Sequence, residues 1–400
     1  MKILLVTERY WPEVGAAPSR LTNMAMGLVE NGAIVDVLTC LPNYPKGEIF
    51  SNYKGKIFSK EIHSGSNIYR YWSYATNSKN PIKRAVNMLS FSICLWLFAF
   101  KASKCSKYDV VIIQTPSLFV AFSSMLLMKK VYRKKCILNV SDIWPSTAVD
   151  LGAMTEKSLS YKVMTWCERY LYRNADGILG QSEEILTHIS QHICSHNKFL
   201  YRNLQPCTVV NARKKTNKPL KIVYAGLLGY AQNVLSIVQN VNFQNLGVEF
   251  HIIGGGGQFE DIKQYIDDNN VANVYLHGFM TQDEMHREYI KYDAALVPLA
   301  VHIYGAFPSK IFDILPHGLP ILFCGGGEGA SFVSSRNVGY VSVPGDYAAL
   351  ETNIQNLSSM SDEEFEAMSN KCISVAEEEL DFGKQMSECY NWLYQHIIHH

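Results

Sequence analysis

The stretch GAFPSKIFDILPHGLPILF, residues 305–323, sets two charged side chains, Lys310 and Asp313, in an otherwise apolar run. Pro308 suits the opening of a helix, and Gly318 followed by Pro320 suits its close. Leu319 to Cys324 then reads as a buried strand, and AALVPL (294–299) just upstream reads as another. The unit is strand, loop, short helix, strand. A lysine in the first turn of such a helix lies beside backbone N–H groups that lack intrahelical partners and beside the positive end of the dipole. That combination makes an anion site. The plain alternative is a solvated surface lysine.

The same grammar extends in both directions. In the first half, KILLVTE (2–8), AIVDVLTC (33–40), NIYRYW (67–72), DVVIIQT (109–115), KCILNVSD (135–142) and GILGQS (177–182) read as strands. Helix-like segments separate them, among them SRLTNMAMGLVENG (19–32), with Ser19 as cap and Gly32 as stop. After the polar, basic stretch NARKKTNKP (211–219) the pattern restarts. Its strands are KIVYAGL (221–227), VEFHIIG (248–254), NVYLHGF (273–279), AALVPL, PILFC (320–324) and VGYVSV (338–343). Alternation of this kind, built twice, predicts an α/β protein with two parallel sheets, each covered by helices on both faces. Such sheets bind ligands beyond the carboxyl ends of their strands. A chain of 400 residues is too long for one ordinary core, and two domains fit it.

Charge is divided between the halves. Residues 1–205 hold 25 Lys and Arg against 14 Asp and Glu, a balance of +11; residues 206–400 hold 12 against 22, a balance of −10. Halves of opposite sign point to different partners. The basic half suits an anionic surface. No RNP, helix-turn-helix or zinc-finger pattern accompanies it, so nucleic acid is not expected. The ten cysteines form no C-x-x-C pair and no Cys/His spacing for zinc, and read as buried thiols of a reducing cytosol. No metal and no secretory leader are expected, which gives a cytoplasmic protein.

Glycines recur where strands end. Gly15 with Ala16 follows the first strand, Gly226 and Gly229 follow the first strand of the second half, and four glycines fill 254–257. Neither a G-x-G-x-x-G in a strand–helix setting nor a P-loop occurs, so those phosphate sites are not expected. The run at 254–257 reads as tight turns. Gly15 and Gly229 suit either a turn or the close approach of a ligand.

Five blocks, YWPEVGAAPSR (10–20), VDVLTCLPNYPKGEIFSNY (35–53), SDIWPSTAVDLG (141–152), YAGLLGYAQN (224–233) and PSKIFDILPHGLPIL (308–322), resemble glycosyltransferase family 4 in its WbuB-like branch. They do so in order and across essentially the whole chain. The resemblance implies the GT-B fold, with two Rossmann-like domains facing across a cleft. Residues 1–205 would bind the acceptor and 206–382 the nucleotide-sugar, with a last helix at about 383–400 crossing back to the first domain. It implies transfer of a sugar, an N-acetylated hexose or deoxyhexose, from a nucleotide-diphosphate donor, UDP foremost. Configuration would be retained, with no metal and no cofactor. The acceptor would be a polyprenyl-diphosphate-linked saccharide in O-antigen or capsule assembly.

The family's paired glutamates, eight positions apart, fall at Gly305 and Asp313, which leaves ribose binding to Asp313. Ala306, Phe307, Pro308, Ser309 and Lys310 then frame the donor, with Lys310 at the diphosphate. Gly15, Ala16, Gly226, Gly229, Gln232, His277, Gly278 and Phe279 complete the implied donor set. Tyr230 stands where the family usually carries Arg or Lys, so leaving-group charge falls to Lys310, helix N-termini and Arg20. Asp142 stands where many members have histidine; it suits a sugar hydroxyl, the acceptor proton, or a plain cap. His317 reads as structural. Two other readings of the fold stay open: a sugar-nucleotide epimerase, and a non-catalytic scaffold subunit.

Residues 77–107 have a basic entry, an apolar centre of thirteen residues from Met88 to Phe100, and a basic exit. A bilayer span needs about 17–25 residues. Residues 117–135 end in five basic residues within seven. Covering the sheet accounts for their apolar faces, and the +11 surplus adds peripheral attachment to anionic lipid on the cytoplasmic face of the inner membrane.

Overall fold

The computed structural model describes residues 1–78, 80–100, 103–193, 197–211, 213–215 and 218–398. Residues 79, 101 and 102 of the basic-flanked segment, 212, 216 and 217 of the linker, and 399–400 of the expected last helix lie outside them. The chain divides into two units: Met1–Asn203 with Tyr304–Ala306 and Phe382–His400, and Leu204–Ile303 with Phe307–Asp381.

The first unit is an eight-stranded sheet of β1 (Lys2–Val6), β2 (Ile34–Cys40), β3 (Phe58–His63), β4 (Ser66–Tyr71), β5 (Val110–Gln114), β6 (Lys135–Val140), β7 (Gly177–Gly180) and β8 (Asn197–Leu200). Their order is β3-β4-β2-β1-β5-β6-β7-β8. All neighbours are parallel except β3 and β4. The central strands are apolar runs without alternation because helices bury both faces: Ile3, Leu4, Leu5, Val110, Val111 and Ile112 are fully inaccessible. The second unit is a six-stranded, all-parallel sheet of β9 (Leu220–Ala225), β10 (Val248–Ile253), β11 (Val274–His277), β12 (Ala294–Pro298), β13 (Ile321–Cys324) and β14 (Gly339–Ser342), in the order β11-β10-β9-β12-β13-β14.

Every strand read from an apolar run is present, and two more join them. Phe58–His63 is an antiparallel edge strand with an alternating, half-polar pattern, and Asn197–Leu200 is a four-residue edge. Neither carries the apolar run that marks a buried strand. The first helix also begins earlier than its Ser19 cap suggested. It spans Ala16–Glu30, with Gly15 at the N-cap at φ +146° and no side-chain cap.

The last helix, Phe382–Leu393 continuing through Ile398, belongs to the first unit. Gln385 Nε2 donates to Arg202 O at 3.0 Å, and Arg202 N donates to Gln385 Oε1 at 2.9 Å. On the helix 16–30 it meets Gly27, where an added Cβ would lie 2.5 Å from Met386 Cγ. The segment Tyr304–Ala306 belongs there too. Ser182 Oγ donates to Gly305 O and Gly305 N donates to Glu184 Oε2, both at 2.7 Å. Gly305 sits at φ +86°, and a Cβ there would press into Ile143 and Ile185 at 2.8–3.1 Å. Where the family motif has a glutamate, this chain has a residue that backbone geometry restricts to glycine.

Candidate functional site

In the second unit the glycine loops make room for a lysine. Gly226 N donates to Ile253 O and Leu228 N to Gly255 O, both at 2.9 Å, so the loops after β9 and β10 lie backbone against backbone. A Cβ on Gly254 would stand 1.9 Å from Gly226 O, and one on Gly256 2.5 Å from Leu228 O. Close backbone approach therefore explains those two glycines. Gly226 itself, at φ +144°, faces the Lys310 side chain: a Cβ there would be 2.6 Å from both Cε and Nζ.

Lys310 opens a helix of five residues, Lys310–Ile314, followed by a turn at Leu315–His317 that Gly318 closes at φ +64°. The residue is partly exposed, yet its Nζ is buried and has no hydrogen-bond partner. It lies 3.7 Å from the centroid of the Tyr224 ring. A desolvated cation–π contact contributes about 2 kcal/mol, which does not replace the hydration of an ammonium. Burial accordingly pushes the Lys310 amine down to about 7, with the Asp313 charge opposing. Burial likewise pushes Asp313 up to about 7, with Lys310 opposing. Gln205 Nε2 donates to Asp313 Oδ1 at 3.1 Å. Gln232 brings a second unsatisfied group: its Oε1 is buried without a partner, 3.1 Å from where a Gly229 Cβ would lie.

The other donor-set residues of this unit have their own engagements. Phe307 stacks on Phe312 with centroids 4.9 Å apart and meets Phe332 edge-on, which gives it a packing role. Ser309 precedes the helix without capping it, and Pro308 lies beside Gly329. His277 Nε2 is 3.0 Å from His251 Nδ1, and burial lowers its pKa. Gly278 O accepts from Gly254 N at 3.2 Å, and Phe279 is exposed. Tyr230 is 75 % exposed, so its side chain does not fill the place of a phosphate-clamping base.

In the first unit, Arg20 and Asp142 come together. Arg20 is buried and Asp142 partly buried; desolvation lowers the pKa of Arg20 and raises that of Asp142, and the charge of each opposes the shift of the other. The Gln181 carboxamide, oriented to satisfy both partners, accepts from Arg20 Nε at 3.0 Å. Gly15 stands against Tyr44, whose ring carbon would be 3.2 Å from a Cβ. Buried Glu13 accepts from Asn43 N and Tyr44 N at 2.8 Å and fixes that loop. Ala16 is the first residue of the helix.

Among the described residues, one group of three could hold a metal: Cys207, His286 and His317 bring ligand atoms within 4.8 Å of one another. His286 Nδ1 and His317 Nε2 are 2.8 Å apart, a hydrogen bond in its own right. Their wide separation in sequence hid the group. Sequence reasoning also missed Tyr224, Gln205 and Gln181, because partners of a site residue follow from register and carry no motif. His317 is buried.

The two parallel α/β units, with the C-terminal helix in the first, define a GT-B protein. Residues 220–360 match the family model of glycosyl transferases group 1. The chain is 24 % identical over 339 residues to an Escherichia coli K12 protein assigned as the colanic acid biosynthesis glycosyl transferase WcaI, covering 80 % of this chain and 82 % of that one. Sucrose-phosphate synthase of Thermosynechococcus elongatus has a similar structure, with a TM-score of 0.73, 13 % identity, and 98 % and 99 % of the two chains covered. HepE of Anabaena in complex with UDP gives 0.68, 14 %, and 98 % and 100 %. WaaG, a glycosyltransferase involved in lipopolysaccharide biosynthesis, gives 0.64, 11 %, and 97 % and 98 %. The chain has the GT-B fold, and its residues 220–360 match glycosyl transferases group 1.

Proposed function

We propose that the protein transfers a sugar, with retention, from a nucleotide-diphosphate donor to a lipid-linked saccharide in polysaccharide assembly, with UDP as the nucleotide. The observation that carries this reading is the buried Lys310 Nζ without a hydrogen-bond partner, beside Gly226 and above Tyr224. A desolvated amine of this kind is completed by an anion, and a diphosphate offers one. Asp313 accepts ribose hydroxyls in place of Gln205. As the glycosidic bond breaks, charge builds on the diphosphate, and a preorganised ammonium stabilises it most at that moment. WcaI, a colanic acid enzyme by its name, supports a polysaccharide product. HepE, solved with UDP, supports the choice of nucleotide.

Lys310→Ala is expected to lower kcat by about 2–4 kcal/mol, the loss typical of a preorganised donor. Asp313→Ala removes a contact to the unreacting ribose and raises donor KM instead. Steady-state kinetics with varied donor separates the two. Equal changes of both parameters in both variants refute the roles, and normal turnover in Lys310→Ala removes the amine from the leaving-group chemistry.

We further propose peripheral attachment to anionic membrane through the helix Pro81–Phe100. One face of it enters the core through Phe91, Leu95 and Phe98. The other leaves Ile82, Val86, Leu89, Ile93 and Leu97 between 44 % and 72 % exposed, at helical spacing. An exposed apolar stripe on a basic half suits an interface with lipid. No helix among the described residues is long and apolar enough to cross a membrane. The segment 117–135 contributes less: Leu118, Val120, Ala121, Met125, Leu127 and Met128 are core residues. Within its basic tail Lys129 pairs with Asp176 at 2.5 Å, and Lys134 donates to Ser106 O at 2.6 Å.

A further inference from the structure

The linker that enters the second unit is tied to the Lys310 helix and to the turn that follows it. Gln205 Nε2 donates to Asp313 Oδ1 at 3.1 Å, and Val210 N donates to Pro316 O at 3.0 Å. Cys207 lies between those two ties, which sets its thiol near His317. The helix Gln282–Glu288 brings His286 to the same place, and a capping box between Thr281 and Glu284 fixes its start. The turn is fixed as well: Ser369 Oγ donates to Gly318 O at 2.7 Å, and the Tyr289 ring packs on His317 with centroids 4.9 Å apart. Three segments remote in sequence thus present a thiol and two imidazoles whose ligand atoms lie within 4.8 Å of one another. Cys207 and His286 are partly exposed and His317 is buried, so the group is open to solvent on one side. Every other cysteine among the described residues is buried.

Thiolate sulfur and imidazole nitrogen are ligands of zinc, at about 2.3 Å and about 2.0–2.1 Å. Tetrahedral angles then set neighbouring ligand atoms about 3.3–3.6 Å apart. His286 Nδ1 and His317 Nε2 are 2.8 Å apart. Small rotations that part the rings by roughly 0.5 Å complete the geometry. A hydrogen bond between the two rings requires at least one to be neutral, and burial favours the neutral form of both, the form that ligates. The surrounding charges divide: Asp313, when ionised, acts on Cys207 and favours a cation, while Arg213 acts on His317 and opposes one. Arg213 is itself held by carbonyl groups, donating from Nη1 to Tyr289 O at 2.8 Å and from Nη2 to Ile290 O.

We propose that Cys207, His286 and His317 bind one zinc ion, with solvent completing the tetrahedron, and that the ion pins the linker to the turn behind the Lys310 helix. Binding sends the Cys207 proton to solvent and turns a lone pair of each imidazole onto the metal, in exchange for the hydrogen bond between the rings. The inference stands apart from the transferase reading, because metal binding and unfolding are read without donor or acceptor.

The probe is cobalt(II), a tetrahedral stand-in for zinc whose bond to a thiolate absorbs light. Added to the reduced full chain after EDTA and dialysis, it should give a saturable thiolate-to-cobalt charge-transfer band with tetrahedral visible bands, and zinc should bleach both. Cys207→Ser should abolish the charge-transfer band. His286→Asn should weaken binding at least about a hundredfold, the upper end of what outer-shell changes cost. Both replaced side chains are partly exposed, which spares the core. Cys194, outside the described residues, supplies the control: Cys194→Ser should keep the band. Zinc should raise the unfolding midpoint of the parent and leave that of Cys207→Ser in place. The site is overturned if no charge-transfer band forms, if the band survives in Cys207→Ser or is lost in Cys194→Ser, or if His286→Asn binds as the parent does. Equal midpoint shifts in the parent and Cys207→Ser would overturn the pinning of the linker.

Discussion

Lys310 Nζ is buried without a hydrogen-bond partner, a state that the proposed diphosphate would resolve. Burial drives its amine toward neutrality, while an approaching diphosphate favours the ammonium. The folded-state pKa lies below that of an exposed lysine, so above about pH 7 the free protein carries a growing neutral fraction. Nucleotide binding must then take up a proton, and affinity should fall as pH rises through that range. Asp313 works in the other direction: its pKa is raised, and ribose binding to the carboxylate releases a proton on the acid side. Calorimetry of UDP binding at pH 8 in buffers of different ionisation enthalpy should therefore report net proton uptake, absent in Lys310→Met. Proton release, or none, would mean that the amine does not meet the diphosphate. Lys310 and Asp313 were legible in the sequence because their motif stands on a short stretch. Tyr224 and Gln205 were not, since a ring under an amine and an amide beside a carboxylate arise from how β9 and the linker pack.

The helices repeat this contrast. An apolar run predicts that a helix or strand is buried, and the buried strands were found on that basis. It cannot tell a helix with two apolar faces from one fully enclosed. Residues 81–100 and 118–125 look alike in sequence, yet the first keeps an outward stripe and the second lies in the core. The stripe predicts that Ile82→Ser, Leu89→Ser and Ile93→Ser combined abolish co-sedimentation with anionic liposomes while leaving UDP binding unchanged. High salt should weaken the parent's binding. Retention of the triple variant on liposomes would show that the stripe serves something else. At the other end of the chain, Gly27→Ala forces a Cβ against Met386, and overpacking of this kind costs about 1–3 kcal/mol. A lowered unfolding midpoint checks that the last helix needs glycine there; an unchanged one would mean Met386 yields freely.

At the scale of the whole molecule, two sheets with separate cores carry two kinds of chemistry. The second unit holds the Lys310–Asp313 pair proposed to meet a nucleotide; the first holds Arg20 with Asp142 and the outward apolar helix. Repeated strand–helix alternation and the split of charge announced that division. Gly305 did not: its place in the first unit depends on Ser182 and Glu184, remote in sequence. The account stands or falls on transfer itself. The purified protein should be given a panel of UDP-sugars with a polyprenyl-diphosphate-linked saccharide, the product weighed by mass spectrometry and its anomer read by NMR. The account predicts one added sugar per acceptor, UDP released, configuration retained, and little product from Lys310→Ala. Donor consumed without any extended acceptor, or a product of inverted configuration, would contradict it.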